Sequence, residues 1–117
     1  MTTFDQWSVV VVNVPYTDGT GFKPRPALVV SAETFHRGLP DLLVCPISSQ
    51  PRYFEKPGPG DCPMAGWEKV ALRHPSTVRV SKLLSVDKTI IKRVLGTVIP
   101  EDARKVEKSL RTALNLV

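Results

Sequence analysis

The sequence predicts a mainly β domain, a small and partly open β-barrel covered by a single C-terminal helix. Three observations carry that reading. Short apolar, β-branched runs recur along the first hundred residues; Gly, Pro, Asn and Asp punctuate them; and only the last segment shifts its apolar period to three or four.

Positions 9–14, VVVVNV, are β-branched and almost continuously apolar, as in a buried strand, and PYTDGTG at 15–21 supplies turn chemistry. A second apolar run covers 27–31. A third, DLLVCPIS, covers 41–48, and its Pro46 suggests a strand edge or bulge. Between 50 and 66 stand Pro51, Pro57, Pro59, Pro63, Gly58, Gly60 and Gly66, too many breakers for regular structure. A long loop is expected, and in a compact domain such a loop is functional or disordered. Strand signals resume at 76–80, STVRV, and at 89–98 with Gly96 as a candidate bulge; 82–88 reads as their connection. Ala103, Val106, Leu110, Ala113 or Leu114, and Val117 then recur on one helical face. Pro100 suits the first helical position, and Glu101 and Asp102 complement the positive end of the helix dipole.

The 117 residues read as one domain, 1–117, large enough to bury about two-thirds of the unfolded surface without staples. Cys45 and Cys62 lie far apart with no CxxC pair or histidine at zinc spacing, so they read as reduced thiols and no metal site is expected. No stretch approaches a membrane span and the N-terminus lacks a signal-peptide pattern, which points to the cytoplasm. Sixteen Lys and Arg against eleven Asp and Glu give a net charge of +5. An anionic partner is favoured, nucleic acid first.

Arg25 stands between Pro24 and Pro26, after a Gly-rich turn. Pro24 fixes its own φ and Pro26 pushes the residue before it into the extended region, so the Arg25 backbone has little freedom. A guanidinium aimed this way, with Lys23 nearby, suits a phosphate: it offers a planar fork of donors and keeps its charge. Ser48 and Ser49 end the third strand and can donate to a phosphate oxygen or satisfy a turn.

The order VVVVNVPYTDGTGFKPRPALVVS, PISSQPR, HPSTVRV, LGTVIPEDARKVEKSL resembles the MazF/PemK family of toxins from type II toxin–antitoxin systems over nearly the whole chain. Arg-Pro-Ala-Leu-Val with the following Ser31 is the most specific piece. The resemblance implies an SH3-like barrel of the CcdB/MazF/PemK type. It also implies a sequence-selective, cofactor-free and metal-independent endoribonuclease that cleaves single-stranded RNA, leaving a 2′,3′-cyclic phosphate and a 5′-hydroxyl. In that family the arginine and the hydroxyl residue act at the scissile phosphate, which carries over to Arg25 and Ser48. The resemblance further implies a homodimer and a cognate acidic antitoxin. Three positions depart from the family pattern: Trp7-Ser8 replaces Gly-Asp, Ser48 replaces Thr, and Ala71 replaces Gly.

With RNA as the expected ligand, Lys23, Phe22, Ser49, Arg52, Tyr53, His74 and Arg79 are its candidate contacts. Lys56, Arg73, Phe54 and Trp67 extend the same mixture of cations for phosphates and rings for splayed bases. His74 is a candidate for proton transfer, and Glu55 or Glu68 would qualify if buried. Two binding-only readings stand beside the enzyme: an inactive SH3-like module, and a CcdB-like gyrase poison, whose C-terminal tryptophan this chain lacks.

Overall fold

The computed structural model describes residues 3–15 and 18–117; Tyr16 and Thr17, in the expected turn at 15–21, lie outside them. Seven strands form one antiparallel sheet: β1 (Ser8–Pro15), β2 (Phe22–Val29), β3 (Asp41–Ser48), β4 (Asp61–Pro63), β5 (Thr77–Arg79), β6 (Leu84–Asp87) and β7 (Ile91–Thr97). Their order is β4-β5-β3-β2-β1-β7, with β6 also on β3, so the sheet stays open between its two ends. Three helices accompany it, α1 (Glu33–His36), α2 (Pro51–Glu55) and α3 (Pro100–Leu114), together with short 3₁₀ turns.

The valine run of β1 is apolar at every step because both faces of the strand are covered. Val9 joins the cluster of Leu28, Cys45, Ile47, Val78 and Val106, against which Ala103 and Leu110 of α3 pack. Val10 and Val12 point the other way, into a cluster with Ala27, Val29, Leu42, Val44 and Val86 that Phe4, Ile90 and Ile91 complete. Each fully buried valine contributes about 1.5–3 kcal/mol. Cys45 lies in this core, where burial pushes its thiol up to about 12, and burial raises Cys62 as well. Both are free thiols, and neither supplies a thiolate near neutral pH.

Four expectations change. The second strand begins at Phe22, not Ala27, and carries Pro24 and Pro26 inside it. Both prolines pair with β1, and the ladder to β3 stops at Ala27↔Pro46, so their missing N–H groups face a side with no ladder to complete. The third strand is not an edge: β2 flanks it on one side, and Pro46 sits where its other partner changes from β6 (Asp41 to Val44) to β5 (Ile47 and Ser48). The breaker-rich segment holds a helical turn, α2, with Pro51 in its first turn, and a three-residue strand, β4, anchored by Cys62↔Val78. The expected connection at 82–88 contains β6, whose one buried residue is Val86.

Helix α3 starts at Pro100 as expected but ends at Leu114. Asn115 takes the left-handed conformation, φ 56°, and Leu116 N–H returns to the Arg111 carbonyl, which closes the helix and leaves Val117 outside it. Gly96 does mark an irregularity: the β1–β7 register shifts between its pair with Val9 and the next, Val10↔Val94. Buried His36 ties three segments together. Its Nε2–H donates to the Phe4 carbonyl at 2.6 Å, its Nδ1 accepts from Ser31 Oγ at 2.7 Å, and Ser31 Oγ accepts Leu43 N–H at 3.0 Å.

Two of the three departures from the family pattern fall on left-handed backbone. Trp7 has φ 73° and Ala71 has φ 58°. A side chain at such a position costs about 1–2 kcal/mol that glycine avoids, less the greater chain entropy glycine loses on folding. Ala71 is exposed and follows the 3₁₀ turn Trp67–Val70. Ala71→Gly is therefore expected to raise stability by about 0.5–1 kcal/mol, read as a higher urea midpoint at unchanged slope. A lower midpoint would show that the methyl group packs usefully.

Candidate active site

The β2–β3 register brings the two candidate catalytic residues together. Ala27↔Pro46 is its last pair, and Arg25 and Ser48 each lie two residues beyond it on their own strands. Residues two apart on a strand share a face, so both side chains leave the sheet on the side of Ala27 and Pro46. Arg25 and Ser48 line one cleft of about 650 Å³.

The cleft walls come from four places. Lys23 and Arg25 stand on β2, Ser48, Ser49 and Gln50 close β3, Tyr53 projects from α2, and Arg73, His74, Ser76, Arg79 and Lys82 come from the chain around β5. Five of these are cations, Lys23, Arg25, Arg73, Arg79 and Lys82, and no carboxylate lines the cleft among the described residues. Such a wall attracts and desolvates an anion.

Ser48 is half-buried, and its Oγ accepts Gln50 N–H at 3.2 Å. A hydroxyl used as an acceptor still has its proton to donate, here into the cleft. Buried Ser76 donates to the His74 carbonyl at 2.7 Å, which fixes the turn that presents exposed His74.

Arg79 is held differently from the other cations. Its Nε–H donates to Asp61 Oδ1 at 2.8 Å across the β4–β5 pair Asp61↔Arg79, and its guanidinium lies 3.7 Å from the Tyr53 ring centre. The Asp61 hydrogen bond, opposed by burial, holds the Arg79 guanidinium still higher than usual. Arg52 covers the same ring at 4.7 Å and donates to the Tyr53 hydroxyl at 2.7 Å. Tyr53 is thus a wall braced by two arginines.

Of the sequence candidates, the cleft gathers Lys23, Arg25, Ser48, Ser49, Tyr53, His74 and Arg79. Phe22, at the exposed start of β2, and Arg52 lie outside it. Glu55 and Glu68 are exposed, so neither meets the burial condition set for a proton acceptor. Lys82, Gln50 and Leu72 join the cleft without a signal in the sequence, and the Asp61–Arg79 brace is invisible in a segment that reads as a loop. Its signal was the alternation of STVRV, which places Thr77 and Arg79 on one face, but the partner strand has only three residues. Among the described residues no group of three or more His, Cys, Asp or Glu could hold a metal ion. Among the described residues no helix is long and apolar enough to cross a membrane.

Comparison with known proteins places this cleft in context. The model of the PemK-like, MazF-like toxins of type II toxin–antitoxin systems matches residues 5–114. Among solved structures, a chain of the MazE–MazF crystal structure (Form-II) from Deinococcus radiodurans is 18% identical over 100% of both chains, with a TM-score of 0.80. An endoribonuclease in complex with its cognate antitoxin from a mycobacterial species is 20% identical over 100% of this chain and 98% of that one, with a TM-score of 0.75. The Mycobacterium tuberculosis toxin MazF-mt6 is 17% identical over 92% of this chain and 98% of its own, with a TM-score of 0.67. No curated protein matches the sequence.

Proposed function

The chain belongs to the PemK-like, MazF-like toxin family of type II toxin–antitoxin systems, and from that premise we propose that it is a sequence-selective endoribonuclease acting on single-stranded RNA without a metal. The observation that carries the reading is that Arg25 and Ser48 line one open cleft whose other charged lining residues are all cations. Tyr53 lines the cleft without filling it.

In the proposed reaction the ribose 2′-oxygen attacks the adjacent phosphorus, the bond to the 5′-oxygen breaks, and a 2′,3′-cyclic phosphate and a 5′-hydroxyl result. Negative charge builds on the non-bridging oxygens in the transition state. Arg25 meets that charge with a preset guanidinium and Ser48 donates its hydroxyl proton as a hydrogen bond, the kind of contact worth about 10²–10³ in rate. The 2′-proton must leave and the 5′-oxygen must gain one. His74 is the cleft's imidazole, and an imidazole can accept at one nitrogen and donate at the other. Arg25 is no base, because a guanidinium stays protonated.

The partners proposed with this activity are a second copy of the chain and a cognate antitoxin whose acidic segment competes with RNA for the cleft; the setting is the cytoplasm. The endoribonuclease–antitoxin structure among the chain's structural neighbours supports the second of these.

The test is cleavage of a long, mixed-sequence RNA by purified protein in EDTA, with fragment ends mapped. Discrete cuts bearing cyclic phosphates are expected; absence of cuts from well-folded protein would overturn the reading. Salt supplies a second check. Lys23, Arg25, Arg73 and Lys82 make no ion pair among the described residues. Each phosphate contact contributes a log–log slope of about −0.7, so RNA affinity is expected to fall with salt at a slope no steeper than about −3. A flat response would remove the electrostatic part of the argument.

A further inference from the structure

A second cleft, of about 450 Å³, adjoins the first, and Ser49 and His74 line both. Its chemistry is different. Pro51, Phe54 and Pro75 give it apolar walls, and among the described residues Glu55 is its one carboxylate and no lysine or arginine lines it. A phosphate would find no cation there. A flat, neutral group with polar atoms on one edge would find apolar faces to stack on and an acceptor at the rim.

We propose that this cleft takes a nucleobase beside the scissile phosphate, and that Glu55 selects a base whose Watson–Crick edge presents N–H donors, guanine best and uracil worst. The inference rests on the ribonuclease reading and names the specificity residue within it. A nucleotide whose phosphate lies by Arg25 and Ser48 need only pass the Ser49–His74 pair to set a base in the neighbouring cleft. Bases of single-stranded RNA are held in this way, splayed out, stacked on rings and read at their edges.

The selectivity follows from what a carboxylate lacks. An ionised Glu accepts hydrogen bonds and donates none. Guanine offers adjacent N1–H and N2–H groups to its two oxygens; adenine and cytosine each offer an amino group. Uracil offers one N–H flanked by two carbonyl oxygens, which the carboxylate repels. Glu55 ends α2 and is exposed, and its side chain makes no hydrogen bond or ion pair among the described residues, so its acceptors are unclaimed. Neighbouring Phe54 is half-buried, which fixes the wall beside it.

The experiment is cleavage of a fully randomised RNA pool by wild type, Glu55→Gln and, as a control, Glu101→Gln, which alters an exposed residue lining neither cleft. Sequencing of the fragment ends reads the base preference at every position around the cut. At one flanking position wild type is expected to disfavour uracil. Glutamine both donates and accepts, so Glu55→Gln should raise the share of uracil at that position about tenfold, within the range that a good base contact discriminates. Glu101→Gln should cut as wild type does. An unchanged preference in Glu55→Gln, or an equal change in Glu101→Gln, would overturn the base subsite while leaving the ribonuclease standing. No cuts by folded wild type would remove the ribonuclease, and this inference with it.

Discussion

Arg25→Ala is expected to lower RNA cleavage at least about a hundredfold while the protein melts within about 3 °C of wild type. The two halves of that expectation have separate origins. The Arg25 side chain is exposed and makes no hydrogen bond or ion pair among the described residues, so truncating it removes nothing the fold uses. Substitutions at such positions change stability by about 0.5 kcal/mol or less. Its backbone is held by Pro24, Pro26 and the pair with Val12, all of which the variant keeps. What goes is the fork of donors that shares the cleft with Ser48. Arg25→Lys sharpens the result: a point charge remains but the two-pronged contact does not, so cleavage should fall between the other two proteins. Cleavage by Arg25→Ala at the wild-type rate would move the chemistry to another residue. Unfolding of that variant would make Arg25 a structural residue.

Ser48→Ala tests the partner. It also frees Gln50 N–H, which Ser48 Oγ now accepts at 3.2 Å, so some loosening at the start of α2 belongs to its phenotype. Arg25→Ala carries no such second effect, which is why it is the cleaner measurement.

The parts of the fold legible in the sequence are those where one strong local pattern suffices. The strand at 41–48 is bounded as expected because an apolar run ends in turn-forming residues on both sides. β4 and β6 escaped because their stability is not local. β4 has three residues, two of which flank the one that is buried, and it persists through pairing with Thr77, Val78 and Arg79. β6 buries Val86 alone and is held by four pairs to β3. No periodicity signals a strand that exists only because its neighbour does.

The site divides in the same way. The two prolines announce a restrained Arg25, but its meeting with Ser48 depends on a register between strands, and the sequence carried that only through resemblance to a family. Arg79 shows the limit of counting cations. It reads as one more RNA contact, yet Asp61 and the Tyr53 ring already claim it, so its first role in the cleft is to hold the wall.

In the sequence Asp102 is one of two acidic residues that suit a helix dipole; its position in the fold makes the largest stability prediction. It is 2% exposed; its Oδ1 accepts Ala65 N–H and its Oδ2 accepts Gly66 N–H, both at 2.9 Å, with Lys105 Nζ 3.3 Å away. Lys105 in turn donates to the Pro63 carbonyl at 2.6 Å. The first turns of α3 are thereby fastened to the end of β4 and to the segment after it. The fit is close: a Cβ on buried Gly66 would lie 2.9 Å from the Ile99 side chain. Asp102→Ala removes two charge-assisted hydrogen bonds and leaves the Gly66 N–H buried without a partner, at about 1.5–3 kcal/mol for each bond. A loss of about 3–5 kcal/mol in urea unfolding is expected, a large fraction of what a domain of this size has. Asp102→Asn keeps one acceptor but turns an N–H₂ group toward an N–H donor, so it should fall between the two. Asp102 lines neither cleft, so cleavage per folded molecule at low temperature should stay near wild type. An Asp102→Ala protein with an unchanged urea midpoint would show that water replaces the carboxylate without cost; one that stays folded but stops cutting would place Asp102 in the chemistry.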